Sequence, residues 1–356
     1  MKSVFKFTRT LALMSMLAFA IVFSSVWFGI RLLPCYVGGD VDAIVETACN
    51  RFANGARIVA VRLNNDSDLD LIMNKIYDDP ELFWLGATYK ASMLGPNTII
   101  TVNERYPDVD EKSVEINKVA QAIVDELIAD DMSEYDRVLA IHDWICENVE
   151  YESGTNNSDQ DIYGALVLRK AVCAGYAKSF TYLLDRADIE SYVISGHAVK
   201  NGKTGEAHAW NLIYIDGEPY YFDITWNDEG DCASYNWFGI THDEFATRHK
   251  PGRGYEWVDV TSSDANYYVR NGMYIEAYSA DVIAQLIMNQ GDVVCIKCAN
   301  SQVLEDVLTA FKTDSERDVI SEKAGLGTNI SVLYSYDTDT NCVTMQIGDC
   351  NRNRVN

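Results

Sequence analysis

The chain has 356 residues, 53 acidic against 29 basic, and a formal charge of −24. Its length and 48 % apolar content exclude a disordered tail protein and allow two or three domains, and nine cysteines are too sparse for a disulfide-stapled scaffold. The acidic excess, without clustered Lys or Arg, argues against nucleic acid as a partner.

The first predicted element is residues 11–30, LALMSMLAFAIVFSSVWFGI, which carry no charge. Twenty helical residues rise about 30 Å, enough to cross a bilayer's hydrocarbon core. Lys2, Lys6 and Arg9 precede the run and Arg31 follows it, so the basic end is expected in the cytoplasm and the acidic bulk outside. Two other readings stand beside a retained signal anchor over residues 1–34. Ala18-Phe19-Ala20 offers a signal-peptidase site, although nine mostly apolar residues continue past it. Leu32-Leu33-Pro34-Cys35 approximates a lipoprotein box, with Pro34 where a small residue belongs. Membrane-anchored or secreted, each reading places the bulk of the protein outside the cytoplasm.

Beyond the anchor, residues 41–53 show helical apolar spacing through Ile44, Val45, Ala48 and Phe52. Ile58-Val59-Ala60-Val61 reads as a strand, and Asp66-Ser67-Asp68 as a helix start. Strands are expected near 83–89 and 97–103, parted by Gly95-Pro96. A related pattern returns 235 residues later. Val293-Val294-Cys295-Ile296-Lys297 parallels Ile58-Val59-Ala60-Val61-Arg62, Asn300 parallels Asn65, and Leu304 parallels Leu69. Two strand candidates follow again, at 330–336 and 341–347. The spacing predicts one helix–strand–helix–strand–strand module on each side of a central domain; a chance likeness of two α/β segments is the competing reading. The expected boundaries are 36–111, 112–250 and 251–350.

The central domain opens with helical patterns over 112–130 and 133–150, the second with Ser133-x-x-Asp136 as a capping box. His142 falls on the apolar stripe of that helix, the place of a satisfied core histidine. Three patches then carry the chemistry. Cys173, in Ala171-Val172-Cys173-Ala174-Gly175-Tyr176-Ala177, falls in the first turn of a helix continued by Phe180, Leu183 and Leu184. There the unpaired N–H groups and the positive dipole end favour a thiolate. Ala207-His208-Ala209-Trp210-Asn211 opens a strand through Ile215, and Tyr221-Phe222-Asp223-Ile224-Thr225-Trp226 follows beyond Asp216-Gly217. A two-residue turn at Asp216-Gly217 pairs Ile215 with Glu218 and, counting back, Trp210 with Asp223 and His208 with Thr225. His208 and Asp223 then share a face as diagonal neighbours; a three-residue loop would separate them. A nucleophilic thiol needs a base, and the base needs an orienting acceptor, so Cys173, His208 and Asp223 supply the three roles.

These patches resemble the transglutaminase-like superfamily of papain-fold thiol enzymes. Tyr163-Gly164-Ala165-Leu166, Val172-Cys173-Ala174-Gly175-Tyr176-Ala177, His208-Ala209-Trp210-Asn211 and Asp223-Ile224-Thr225-Trp226 match its motifs in order. The resemblance covers about residues 115–245. It implies an α+β fold, with a central papain-like core whose cysteine-bearing helix packs on an antiparallel sheet; the two small α/β modules expected on either side lie outside the resemblance. It also implies Cys173 as nucleophile, His208 as base, Asp223 as orienter and a protein or peptide amide as substrate, with no cofactor and no metal. The Cys173 backbone N–H is the natural oxyanion donor; Tyr163 and Trp210 are further oxyanion or cleft candidates. Cys295-x-x-Cys298 is half a zinc signature without a second pair, and on a strand its thiols point to opposite faces. His197 is expected in a loop, and His242 and His249 carry no definite signal. A binding or scaffold protein on the same fold is the alternative to an enzyme, and a zinc hydrolase using His197, His208 and Asp223 ranks third.

Overall fold

The computed structural model describes residues 35–65, 68–152, 159–228, 234–327 and 330–349. The expected anchor over 11–30 lies outside them, as do Asp66 and Ser67. No helix among the described residues is long and apolar enough to cross a membrane. The chain divides into two compact units, residues 1–115 and 116–356.

In the first unit, β1 (Cys35–Gly38), α1 (Val41–Ala53), β2 (Ile58–Arg62), α2 (Asp68–Asp78), β3 (Leu85–Leu94) and β4 (Asn97–Glu104) build a sheet of order β1-β2-β4-β3. β1 runs parallel to β2, and the other pairs are antiparallel. Asp40 starts α1 by accepting from the Ala43 N–H at 2.9 Å. The helices bury Ile44, Ala48 and Phe52 on α1 and Ile72, Met73 and Ile76 on α2, as β2 and β4 bury Val59, Val61, Ile100 and Val102. Each of these side chains apart from Ala48 contributes about 1.5–3 kcal/mol. The strand expected from residue 83 begins at Leu85, because Asp79 caps a short helical turn over Pro80–Leu82 first. α3 (Val109–Leu127) crosses the division between the units.

The second unit begins its own core with α4 (Glu134–Asn148), whose Ser133 hydroxyl accepts from the Asp136 N–H at 3.2 Å. α5 (Cys173–Arg186) carries the cysteine, and β5 (Ser191–Lys200), β6 (Lys203–Ile215) and β7 (Glu218–Phe222) follow as an antiparallel meander. The β6–β7 turn has two residues, Asp216 at φ 53° and Gly217 at φ 82°. It sets the expected register, Ile215 opposite Glu218 and Asn211 opposite Phe222. One expectation fails beyond that pair. β7 ends at Phe222, and Asp223 caps a helical turn, α6 (Ile224–Asn227), by accepting from the Trp226 N–H at 3.1 Å. Thr225 therefore never pairs with His208.

β8 (Phe238–Ile240), α7 (His242–Phe245) and β9 (His249–Pro251) complete a five-stranded sheet of order β8-β7-β6-β5-β9. β9 carries this sheet past residue 250, the expected module boundary. α5 packs on β5 and β6 through Ala177, Val193 and Ala209. Asn211 pins the helix by donating to the Ala177 carbonyl at 2.8 Å and the Thr181 hydroxyl at 3.1 Å.

The remaining residues form β10 (Tyr274–Ile275), α8 (Ala280–Gln290), β11 (Val293–Cys298), α9 (Ser301–Lys312), α10 (Asp314–Lys323), β12 (Ile330–Asp337) and β13 (Cys342–Asp349). Their sheet has the order β10-β11-β13-β12, with the first pair parallel and the rest antiparallel. This is the strand order and sense of the first unit's sheet, reached through the same alternation of strand, helix and final hairpin.

Candidate functional site

Cys173 opens α5 behind Val172, whose side chain makes no cap, so no side chain of the cap residue takes up the first-turn N–H groups. The thiol is half-buried. Gly175, one turn in, lets the preceding loop approach: a Cβ there would stand 2.7 Å from the Asp159 carbonyl oxygen and 2.7 Å from the Ala171 Cβ. The Val172 N–H donates to that same Asp159 carbonyl at 2.9 Å, fixing the residue before the cysteine.

His208 comes from β6 and Asp223 from the end of β7, and the structure brings both to Cys173. The Nε2 of His208 lies 2.6 Å from Asp223 Oδ2, and the imidazole is within electrostatic reach of Cys173. With Nε2 taken by the carboxylate, Nδ1 is the nitrogen left for the thiol. Burial pulls His208 down, but the charge and hydrogen bond of Asp223, followed by Cys173, outweigh it and hold the imidazole up at about 10. Asp223 is wholly buried, which pushes its carboxyl up; His208 and then His249 reverse this and hold it well below the ordinary carboxylate range. Trp226 stacks on the His208 ring at 4.8 Å between centroids.

His249 was without a definite signal in the sequence, yet its Nε2 lies 2.8 Å from the same Asp223 oxygen. It reaches the site from the edge strand β9, 26 residues beyond Asp223, where no local pattern marks it. Tyr151 is a second addition: its exposed ring lies within electrostatic reach of Cys173, Glu206, Asp223 and Asp159. The two weaker candidates fare differently. Trp210 is fully buried, packed against His249 and Phe245 behind the histidines, so it lines no open cleft. Tyr163 is half-buried in the turn before Cys173, its N–H donating to Asp161 Oδ1 at 2.9 Å.

His142 is the core histidine its stripe predicted. Nδ1 donates to Asp143 Oδ1 at 2.9 Å, and Nε2 accepts from Asn227 Nδ2 at 3.0 Å. Asn227 Oδ1 in turn accepts from the Trp237 N–H at 2.9 Å, which fixes the amide orientation and braces the α6 turn. Burial pushes the neighbouring Cys146 thiol far up, leaving it inert. Cys298 is buried with its thiol raised to about 12, and Cys295 is half-buried on the same strand, its Sγ 3.6 Å from the Thr344 hydroxyl.

His208, Asp223 and His249 offer three potential ligand atoms within 4.8 Å of one another. Their separations of 2.6 and 2.8 Å are hydrogen-bond distances, whereas ligands bound at about 2.0–2.1 Å around a tetrahedral ion stand roughly 3.4 Å apart. The cluster fits shared protons rather than a metal. The zinc arrangement with His197 is corrected as well, since His197 lies on β5, not in a loop, and His249 takes the place beside Asp223. Two cavities of about 790 and 730 Å³ are lined by residues around Tyr267 and around Lys297, and none of the three central residues lines either.

The fold and this cluster define a transglutaminase-like core. Residues 121–226 match the sequence model of the Transglutaminase-like superfamily. The chain is also similar to the kyphoscoliosis peptidase of Mus musculus, 28 % identical over 149 residues, covering 39 % of this chain and 22 % of that one. The human kyphoscoliosis peptidase is 30 % identical over 122 residues, covering 30 % and 18 %. The chain thus spans about a fifth of the length of these curated relatives. Among solved structures it is similar to a TGase, at 17 % identity over 49 % of this chain and 52 % of that chain, with a TM-score of 0.26. A second is the periplasmic domain of TgpA from Pseudomonas aeruginosa, at 19 % identity over 36 % and 55 %, with a TM-score of 0.25.

Proposed function

We propose that this chain is an extracytoplasmic thiol enzyme that acts on protein or peptide amide bonds through Cys173, His208 and Asp223. The observation that carries the reading is the 2.6 Å hydrogen bond between His208 and Asp223, within electrostatic reach of Cys173 at the uncapped start of α5. Cys173 Sγ attacks the amide carbonyl carbon while the first-turn N–H groups receive the developing oxyanion. The thiol proton, held by His208, passes to the departing amine as the C–N bond breaks, and a thioester remains. Water or a second amine then attacks the thioester, gives its proton to His208 and releases the thiolate. Water yields proteolysis or deamidation; an amine yields a cross-link. Asp223 holds His208 in the tautomer that presents Nδ1 to the thiol.

The apolar run at 11–30 and its basic flank support a membrane-anchored or secreted location, with cell-surface proteins as the substrates within reach. Residues 36–111 and 251–350 are proposed as flanking modules around a catalytic domain of 112–250. A scaffold that uses the fold without turnover is the second reading; the intact three-residue run counts against it. The test incubates the full-length chain with unfolded casein and a fluorescent primary amine. Amine incorporation identifies a transferase, and new peptide termini identify a peptidase, each lost in Cys173→Ala. Ammonia release alone, also lost in Cys173→Ala, identifies a deamidase. No product of any kind overturns the enzyme in favour of the scaffold.

A further inference from the structure

Asp223 Oδ2 receives two imidazoles, and only one belongs to the proposed chemistry. His249 lies 2.8 Å from that oxygen through Nε2, and its Nδ1 lies 3.1 Å from the Phe245 carbonyl oxygen. Both nitrogens thus face acceptors. Neither acceptor can donate, so a cationic ring gives a proton to each, and a neutral ring gives its one proton to the shorter, charged contact, Nε2 to Asp223. The ring has no room to turn away. Phe245 stacks on it at 3.7 Å, and Trp210, Trp226 and Trp237 close the other sides at 4.5–5.1 Å. The titratable groups facing it are Asp223 and His208, the latter ring centred 5.7 Å away. The strand that carries His249 is seated on β5, where His249 pairs with Ala198, Lys250 with His197 and Pro251 with Gly196; a Cβ at Gly196 would stand 2.4 Å from the Lys250 carbonyl oxygen.

We infer that His249 is a positioning residue, donating Nε2–H to Asp223 Oδ2 so that this oxygen stays aimed at His208. The inference rests on the thiol-enzyme reading above. Three donors hold the buried carboxylate: His208 and His249 on Oδ2 and the Trp226 N–H on Oδ1. Only His249 comes from outside the elements that carry Asp223 and the residues proposed for chemistry. Without it, a carboxylate in a closed aromatic pocket loses a charge-assisted hydrogen bond and the side on which it is braced. The imidazolium–thiolate pair then survives over a narrower span of pH.

The experiment follows iodoacetamide labelling of Cys173 against pH in the full-length chain, located by mass spectrometry. Wild type is expected to show a plateau between an acid and an alkaline limb. His249→Phe, which keeps the stacking and removes the donor, is expected to move both limbs inward by about one pH unit, a roughly tenfold loss of labelling on the acid limb. His249→Gln, whose amide can donate from the same side, restores most of the span. An unchanged or widened span in a folded His249→Phe variant overturns the inference. Spectra of the wild-type chain with ¹⁵N-labelled histidine test it without relying on a variant's folding: His249 Nε2 must read as protonated at neutral pH, and a bare Nε2 overturns it. A wild-type chain whose Cys173 labels no faster than in His208→Ala overturns the thiol-enzyme reading instead, so the two failures are distinct.

Discussion

The most constrained residue is Asp223, because three donors converge on the two oxygens of one buried carboxylate. Asp223→Asn replaces one oxygen with an NH₂ group, which must then face either the histidine N–H groups or the Trp226 N–H. Turnover of whichever amide substrate the product assay identifies is expected to fall roughly 10³–10⁴-fold, measured as kcat, and a loss under tenfold would contradict this. The same pairing makes stability depend on pH. His208 binds its proton more tightly in the folded chain, at about 10 against an ordinary 6.5, so its contribution is complete below 6.5 and is lost as pH rises toward 10. Urea midpoints are expected to fall between pH 6.5 and 10, and to fall less steeply in His208→Ala. Cys173, His208 and Asp223 were legible in sequence because each sits in a short motif on a regular element. His249 was not, since an edge strand placed by tertiary packing leaves no periodic trace. Trp210 sits inside a motif yet serves the core, because its position on β6 turns it behind the histidines rather than toward solvent.

At the scale of elements, the Asp216-Gly217 turn carried most of the prediction. Two residues with positive φ fix a register that a longer loop would have shifted, and the turn is held further by its Asp216 N–H donating to Glu134 Oε2 at 2.5 Å. What periodicity missed was the end of β7. An aspartate after an aromatic strand can continue the strand or cap a turn, and the Trp226 N–H and the His142–Asn227 brace decide for the turn. Close approach at Gly196 was equally hidden. A Cβ there would stand 2.4 Å from both the Trp210 Cη2 and the Lys250 carbonyl oxygen. Gly196→Ala is expected to destabilise the second unit by about 1–3 kcal/mol through overpacking, read from urea unfolding. A change within about 0.5 kcal/mol, the range of an ordinary surface substitution, would show that the edge strand yields freely.

For the whole molecule, the repeated pattern around Ile58–Arg62 and Val293–Cys298 corresponds to two sheets of one topology, an agreement of strand order rather than of side chains. The later copy sits in the same compact unit as the five-stranded sheet. Lys297 on β11, buried, pairs with Glu244 on α7 and donates to the Thr340 carbonyl at 3.0 Å, while Arg248 pairs with Asp339. These ties hold the segment that delivers His249. Lys297→Met strands the Glu244 carboxylate and the Thr340 carbonyl and is expected to cost about 2–3 kcal/mol, again by urea unfolding of the full-length chain; no measurable loss would mean the pair contributes only as an exposed one does. Length and composition allowed two or three domains, and the two compact units show why the count was open: the chain continues its central sheet across the expected boundary at residue 250.

The central claim is that His208 keeps Cys173 poised as a nucleophile. The most direct measurement is the rate of iodoacetamide labelling at pH 6, well below the ordinary thiol pKa of about 8.5, with Cys295 as a half-buried thiol in the same chain for reference. The predicted result is Cys173 labelling at least tenfold faster than Cys295, with that advantage lost in His208→Ala. Equal rates at the two cysteines, unchanged by the substitution, would contradict the account.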